Sequence, residues 1–102
     1  MMKTNQNVPR LTTNPACGMV ADMITHHGLS QKEVATAMKI SPGLLSDIIR
    51  GKKGVSAEFA LRFEHCLGLA ADWLLRMQAH YDYCTAYHGK IPAIQKEVQS
   101  LV

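Results

Sequence analysis

Apolar residues along the chain recur at helical spacing, and each run is closed by a residue that stops helices. Cys17, Val20, Ala21 and Ile24 stand at i, i+3, i+4 and i+7, which predicts a first helix from about Pro15 that ends at Gly28. Ser30, Gln31, Lys32 and Glu33 spell a capping box, and Leu29 before it can staple onto Val34 after it. A second helix therefore starts here and buries Val34, Ala35 and Met38. The chain turns through Lys39 and Ile40, after which Ser41 caps a third helix with Pro42 at its first position, where the missing N–H costs nothing. Leu45, Ile48 and Ile49 form the inner face of that helix, and Gly51 ends it. After the loop Gly51-Lys52-Lys53-Gly54, Ser56 caps a fourth helix that stops at Gly68. A fifth is expected from about Ala71 to His88, and Ile91, Ile94, Val98 and Leu101 predict a short, separate sixth. No strand period and no internal repeat occur, so the expected class is all-α.

The chain divides into a flexible polar lead-in at 1–14, a helical domain at 15–88 with two short helices and their turn at about 30–50, and an extension at 89–102. With 102 residues, 47% of them hydrophobic and 19% charged, it has the composition of a folded domain and not of a disordered chain. The longest uncharged stretch, Leu11 to Ala21, contains Thr12, Thr13, Asn14 and Pro15, so it is neither a membrane span nor a secretory core. Cys17, Cys66 and Cys84 are odd in number and lack CxxC spacing, which argues for reduced thiols in a cytoplasm. The net charge of +3 matters less than where it sits. Positions 30–62 carry Lys32, Lys39, Arg50, Lys52, Lys53 and Arg62 against three acids, whereas positions 63–102 are slightly acidic. Such a central basic stripe is the footprint of a phosphate-binding surface.

Two short helices joined by a tight turn, the second amphipathic and followed by a basic loop, have the layout of a DNA-binding helix-turn-helix. Burial of Leu45, Ile48 and Ile49 turns Gly43, Ser46, Asp47 and Arg50 outward, toward a major groove. Gln31 sits at the start of the second helix, where free N–H groups favour a phosphate oxygen. Lys52 and Lys53 follow the reading helix and are placed to neutralise flanking phosphates. Ser41, Pro42, Gly43 and Leu44 at the start of that helix complete the candidate DNA surface, with Ser46 the candidate for a base contact.

Leu29-Ser30-Gln31, Val34-Ala35, Met38, Ile40, Leu45-Ser46, Ile48-Ile49, Gly51-Lys52 and Ser56-Ala57 resemble the helix-turn-helix of the lambda-repressor-like superfamily. Gly51 to Ala57, Ala60-Leu61-Arg62, Gly68, Trp73-Leu74 and the run Gln78-Ala79-His80-Tyr81-Asp82 narrow the resemblance to the HigA-type antitoxins of bacterial toxin–antitoxin modules. The resemblance implies a five-helix DNA-binding core, here with a short extra C-terminal helix, that dimerises, represses its own operon and neutralises a ribosome-dependent mRNA-cleaving toxin. Its partners would be double-stranded operator DNA, a second copy of the chain and a small basic toxin, with no membrane. The chain departs from the family pattern in the turn, at the start of the reading helix, and in the first helix, which contains Gly18 and matches only loosely. Lys39 stands where the turn usually has glycine, and Gly43-Leu44 where the family often shows Ser-Arg. A guanine-reading arginine is thus missing, and Leu44 would offer at most a contact to a thymine methyl.

Helix five carries two apolar lines, one through Trp73, Leu74, Met77, Tyr81 and Cys84 and one through Leu75, Ala79 and Ala86. One serves the core, so Trp73, Leu75, Met77, Ala79 and Tyr81 are the candidate dimer contacts. No Gly-rich phosphate loop, HExxH or nucleophile with a placed base is present, so no enzyme and no cofactor is expected. No metal is expected either; the spacing that could hold zinc, given a fourth ligand from a partner chain, is His80, Cys84 and His88. Asp22, Glu64 and Asp82 are candidate acids for a basic toxin. Two other readings stay open on the residues alone: a stand-alone or phage-type repressor without a toxin, and a protein-interaction module on the same scaffold.

Overall fold

The computed structural model describes residues 7–102. It contains five helices and, among the described residues, no strand: α1 (Pro15–His26), α2 (Gln31–Met38), α3 (Pro42–Ile49), α4 (Ala57–Leu67) and α5 (Ala71–Glu97). Four begin at the side-chain caps that their first turns require. Asn14 accepts from the Ala16 N–H, Ser30 from Glu33, Ser41 from Leu44 and Ser56 from Phe59. Ala70 cannot cap α5, and the Glu64 carboxylate of α4 replaces it by accepting the Ala71 N–H at 3.0 Å. That bond fixes the corner between α4 and α5.

The expected inner faces meet in one core. Val20 and Ile24 of α1, Val34, Ala35 and Met38 of α2, Leu45 and Ile48 of α3, Phe59, Ala60 and Phe63 of α4, and Leu74 of α5 are all buried. Ile49 is only partly buried at its edge. Lys39 does take the left-handed conformation that its place in the turn demands, with φ 55° and ψ 46°.

Two boundaries differ from expectation. The C-terminal segment is helical, but it continues α5 through Gly89 and Pro92 instead of forming a separate sixth helix. Proline's φ is compatible with a helix and its ring removes one backbone donor, so Pro92 weakens α5 without ending it. Of the lead-in expected to be flexible, positions 1–6 lie outside the described residues, and positions 7–14 are held to the domain at Val8 and Asn14, which are buried, and at half-buried Leu11, with the others exposed. Val8 is buried, and His88 Nε2 lies 2.8 Å from the Val8 carbonyl oxygen and 3.2 Å from that of Pro9. Val8 supplies the apolar anchor that composition alone did not reveal.

Candidate nucleic-acid interface

The surface expected to meet DNA is built on α3 and its neighbours. α2 and α3 pack together through Val34, Ala35, Met38, Leu45 and Ile48, which turns the other side of α3 outward. Gly43 and Arg50 are exposed, and Ser46 and Asp47 half-exposed, along that side. Ser41 and Pro42 are exposed at its start, and the Ser41 hydroxyl oxygen is engaged with the Leu44 N–H at 3.0 Å. Its O–H remains a donor. Leu44 is different. It is half-buried against the core, so it presents only part of its side chain beside the reading face. Gln31 is exposed on the first turn of α2, next to the Ser30 cap.

Lys52 and Lys53 are exposed in the loop after α3. Three helices hold that loop. The Asp47 carbonyl accepts the Lys52 and Lys53 N–H groups at 2.7 and 3.3 Å, the Cys17 thiol of α1 donates to the Lys53 carbonyl at 3.3 Å, and Gln78 of α5 accepts the Val55 N–H at 2.7 Å. Burial pushes the Cys17 thiol above its usual range, so it stays the protonated donor this bond needs. Asp47 also faces Lys53 at 3.9 Å, which draws one lysine toward the reading helix.

Sequence reasoning missed Cys17 and Gln78 as loop supports, because each acts across more than twenty residues of sequence. It also missed Thr12 and Thr13, which line a pocket with Gly18, Arg50 and Gly51 beside the end of α3. Arg62, counted in the basic stripe, turns away from it: Nη1 donates to the Met38 carbonyl at 2.9 Å and Nε to Glu58 at 3.1 Å.

The helix-turn-helix family model matches residues 20–74, which covers α2, α3 and the whole basic loop. The chain belongs to the helix-turn-helix family. It is 36% identical over 63 residues to the virulence-associated protein I of Dichelobacter nodosus, a match covering 62% of this chain and 58% of that protein. Among solved structures it resembles the antitoxin HigA of Pseudomonas aeruginosa, solved with the higBA promoter, at 25% identity and TM-score 0.79 over 90% of this chain and all of the other. It resembles the antitoxin GraA at 27% identity and TM-score 0.81, over 91% of this chain and all of that one. The structure of P. aeruginosa PA4674 in complex with its 28-bp operator DNA matches at 26% identity and TM-score 0.76, over 84% of this chain and 96% of that one.

On α5 the candidate dimer residues do not share one open face. Trp73 and Ala79 are exposed, Leu75 and Met77 pack against the core, and half-buried Tyr81 lines a furrow with Arg10 and Leu11. The zinc spacing is likewise taken up internally. Cys84 is buried, His80 Nε2 lies 3.6 Å from its sulfur, and His88 Nε2 contacts the Val8 carbonyl. Among the described residues no group of three His, Cys, Asp or Glu is arranged to hold a metal. None of the described helices is long and apolar enough to cross a membrane.

Proposed function

We propose that the chain is a HigA-type antitoxin: a cytoplasmic, non-enzymatic DNA-binding protein that represses its own operon and neutralises a small basic mRNA-cleaving toxin. The observation that carries the DNA half is the open face of α3, with Gly43, Ser46 and Arg50 outward and Lys52 and Lys53 exposed just beyond. Resemblance to proteins solved with a promoter and with operator DNA supports it. In this reading α3 enters the major groove, Ser46 contacts a base edge, and Gln31, Arg50, Lys52 and Lys53 hold phosphates.

The operator complex is a homodimer built through α5. Trp73 shares an open side of that helix with Tyr83, Tyr87 and Ile94 at helical spacing, and Trp73 and Tyr83 are 45% and 49% exposed. Of the three acids considered for the toxin, Glu64 and Asp82 are engaged within the chain, whereas Asp22 is exposed on α1 without a side-chain partner among the described residues. Asp22 is thus the acid available to a basic partner. Co-expression with the product of the neighbouring reading frame tests the whole: growth arrest by that product alone, relieved through a co-purifying complex, is expected. A neighbour that neither arrests growth nor co-purifies would leave a stand-alone repressor as the better account.

A further inference from the structure

The Gln78 side chain sits at the meeting point of three segments that are far apart in sequence. Its Oε1 accepts the Asn14 Nδ2–H and the Val55 N–H, both at 2.7 Å, and its Nε2 donates to Asp82 Oδ1 at 2.9 Å. Asn14 is itself the α1 cap, so the same amide ties α1, α5 and the segment after the basic loop. Gly54 leaves room for it. A Cβ there would stand 2.7 Å from Gln78 Nε2 and 2.9 Å from Oε1, and Gly54 lacks the positive φ of Gly51, so what glycine serves here is the close approach: an added methyl would push the Gln78 amide out of its place. Both polar atoms of the Gln78 amide are thus engaged within the chain.

We propose that Gln78 is a positioning residue for the DNA surface: from α5 it clamps the loop at Val55 and fixes it to the start of α1, so that Lys52 and Lys53 meet the phosphates in a set register. This inference rests on the DNA-binding reading above. The loop is joined to α3 through Asp47 and to α1 through Cys17, but Gln78 is the side chain that reaches it from α5. Freed from Gln78, the loop keeps its charges and loses their placement.

The test uses the full chain and a duplex carrying its own promoter, at a temperature where circular dichroism shows each variant folded. Gln78→Ala is expected to weaken binding on the order of tenfold and to make the dependence of log K on log salt shallower by about one unit, the signature of a lost phosphate contact. Gly54→Ala, at an exposed site that should not block folding, is expected to do the same by displacing the amide. The double variant should bind no more weakly than Gln78→Ala alone, because the added methyl then meets nothing. Pairing Gln78→Glu with Asp82→Asn keeps an acceptor for Asn14 and Val55 and reverses the third bond, so it should restore binding. A lowered melting temperature with unchanged affinity and unchanged salt slope would overturn the proposal and leave Gln78 a purely structural residue. If the unaltered chain fails to bind the promoter, the DNA-binding reading itself falls. Hydrogen exchange at the Val55 amide then separates the two failures, since it should accelerate in Gln78→Ala wherever Gln78 holds the loop.

Discussion

The Arg62 guanidinium of α4 donates to the Met38 carbonyl at 2.9 Å and so closes the end of α2 where the helix-turn-helix turn begins. α2 ends on a left-handed residue, which leaves its last carbonyls short of partners within the helix. Arg62 supplies one from a neighbouring helix while its Nε pairs with Glu58 one turn away. Arg62→Ala is expected to lower stability by about 1 kcal/mol, the loss of one charge-assisted bond at a partly exposed site. Operator affinity of the folded protein should be unchanged, because this cation is committed to the fold. Urea unfolding paired with a promoter titration checks both halves.

Lys39 sits beside that contact with φ 55°. A non-glycine residue in this region costs about 1–2 kcal/mol, and glycine recovers most of it against a smaller entropic loss of about 0.5–1 kcal/mol. Lys39→Gly should therefore raise stability by roughly 0.5–1 kcal/mol. A thermal melt that moves downward instead would show that the lysine stem contributes packing beyond its backbone strain.

Cys17 gives a pH dependence whose sign is fixed by its environment. Burial raises its folded-state pKa above the ordinary value of 9.0, so the folded form holds its proton longer than the unfolded one. The stability it contributes is complete below pH 9.0 and is lost as pH climbs through the raised folded value. Cys17→Ala should flatten the alkaline limb of the stability profile. Among the thiols, partly exposed Cys66 should alkylate before the buried Cys17 and Cys84 in the native protein, which mass spectrometry can read residue by residue.

The parts of the fold legible in the sequence are those governed by local chemistry. Ser30, Ser41 and Ser56 announce their helices because capping acts over three residues, and the apolar spacing of α2 and α3 assigns their inner faces. The strain at Lys39 was equally readable, since the turn needs a left-handed residue wherever glycine is absent. What escaped is long-range. Asn14 to Gln78 spans 64 positions, His88 to Val8 spans 80, and no periodicity encodes such pairs. The end of α5 differs for another reason: the sequence places it near His88 with a separate helix after it, but Gly89 and Pro92 are weak penalties against a helix already propagated for eighteen residues from Ala71, and α5 runs on to Glu97. Apolar spacing on α5 does not by itself separate core from interface, since Leu75 and Met77 suit either, and within the single chain both pack partly against the core.

The central claim is that α3 and the loop after it bind operator DNA, and a promoter titration across a range of salt concentrations tests it most directly. The chain should bind its own promoter with affinity that falls steeply with salt, and Lys52→Ala with Lys53→Ala should reduce the slope by about 0.9 per lost contact while weakening all sequences alike. Ser46→Ala should instead change the preference among sequences. Absence of binding at low salt, or an unchanged slope in the double lysine variant, would contradict the account.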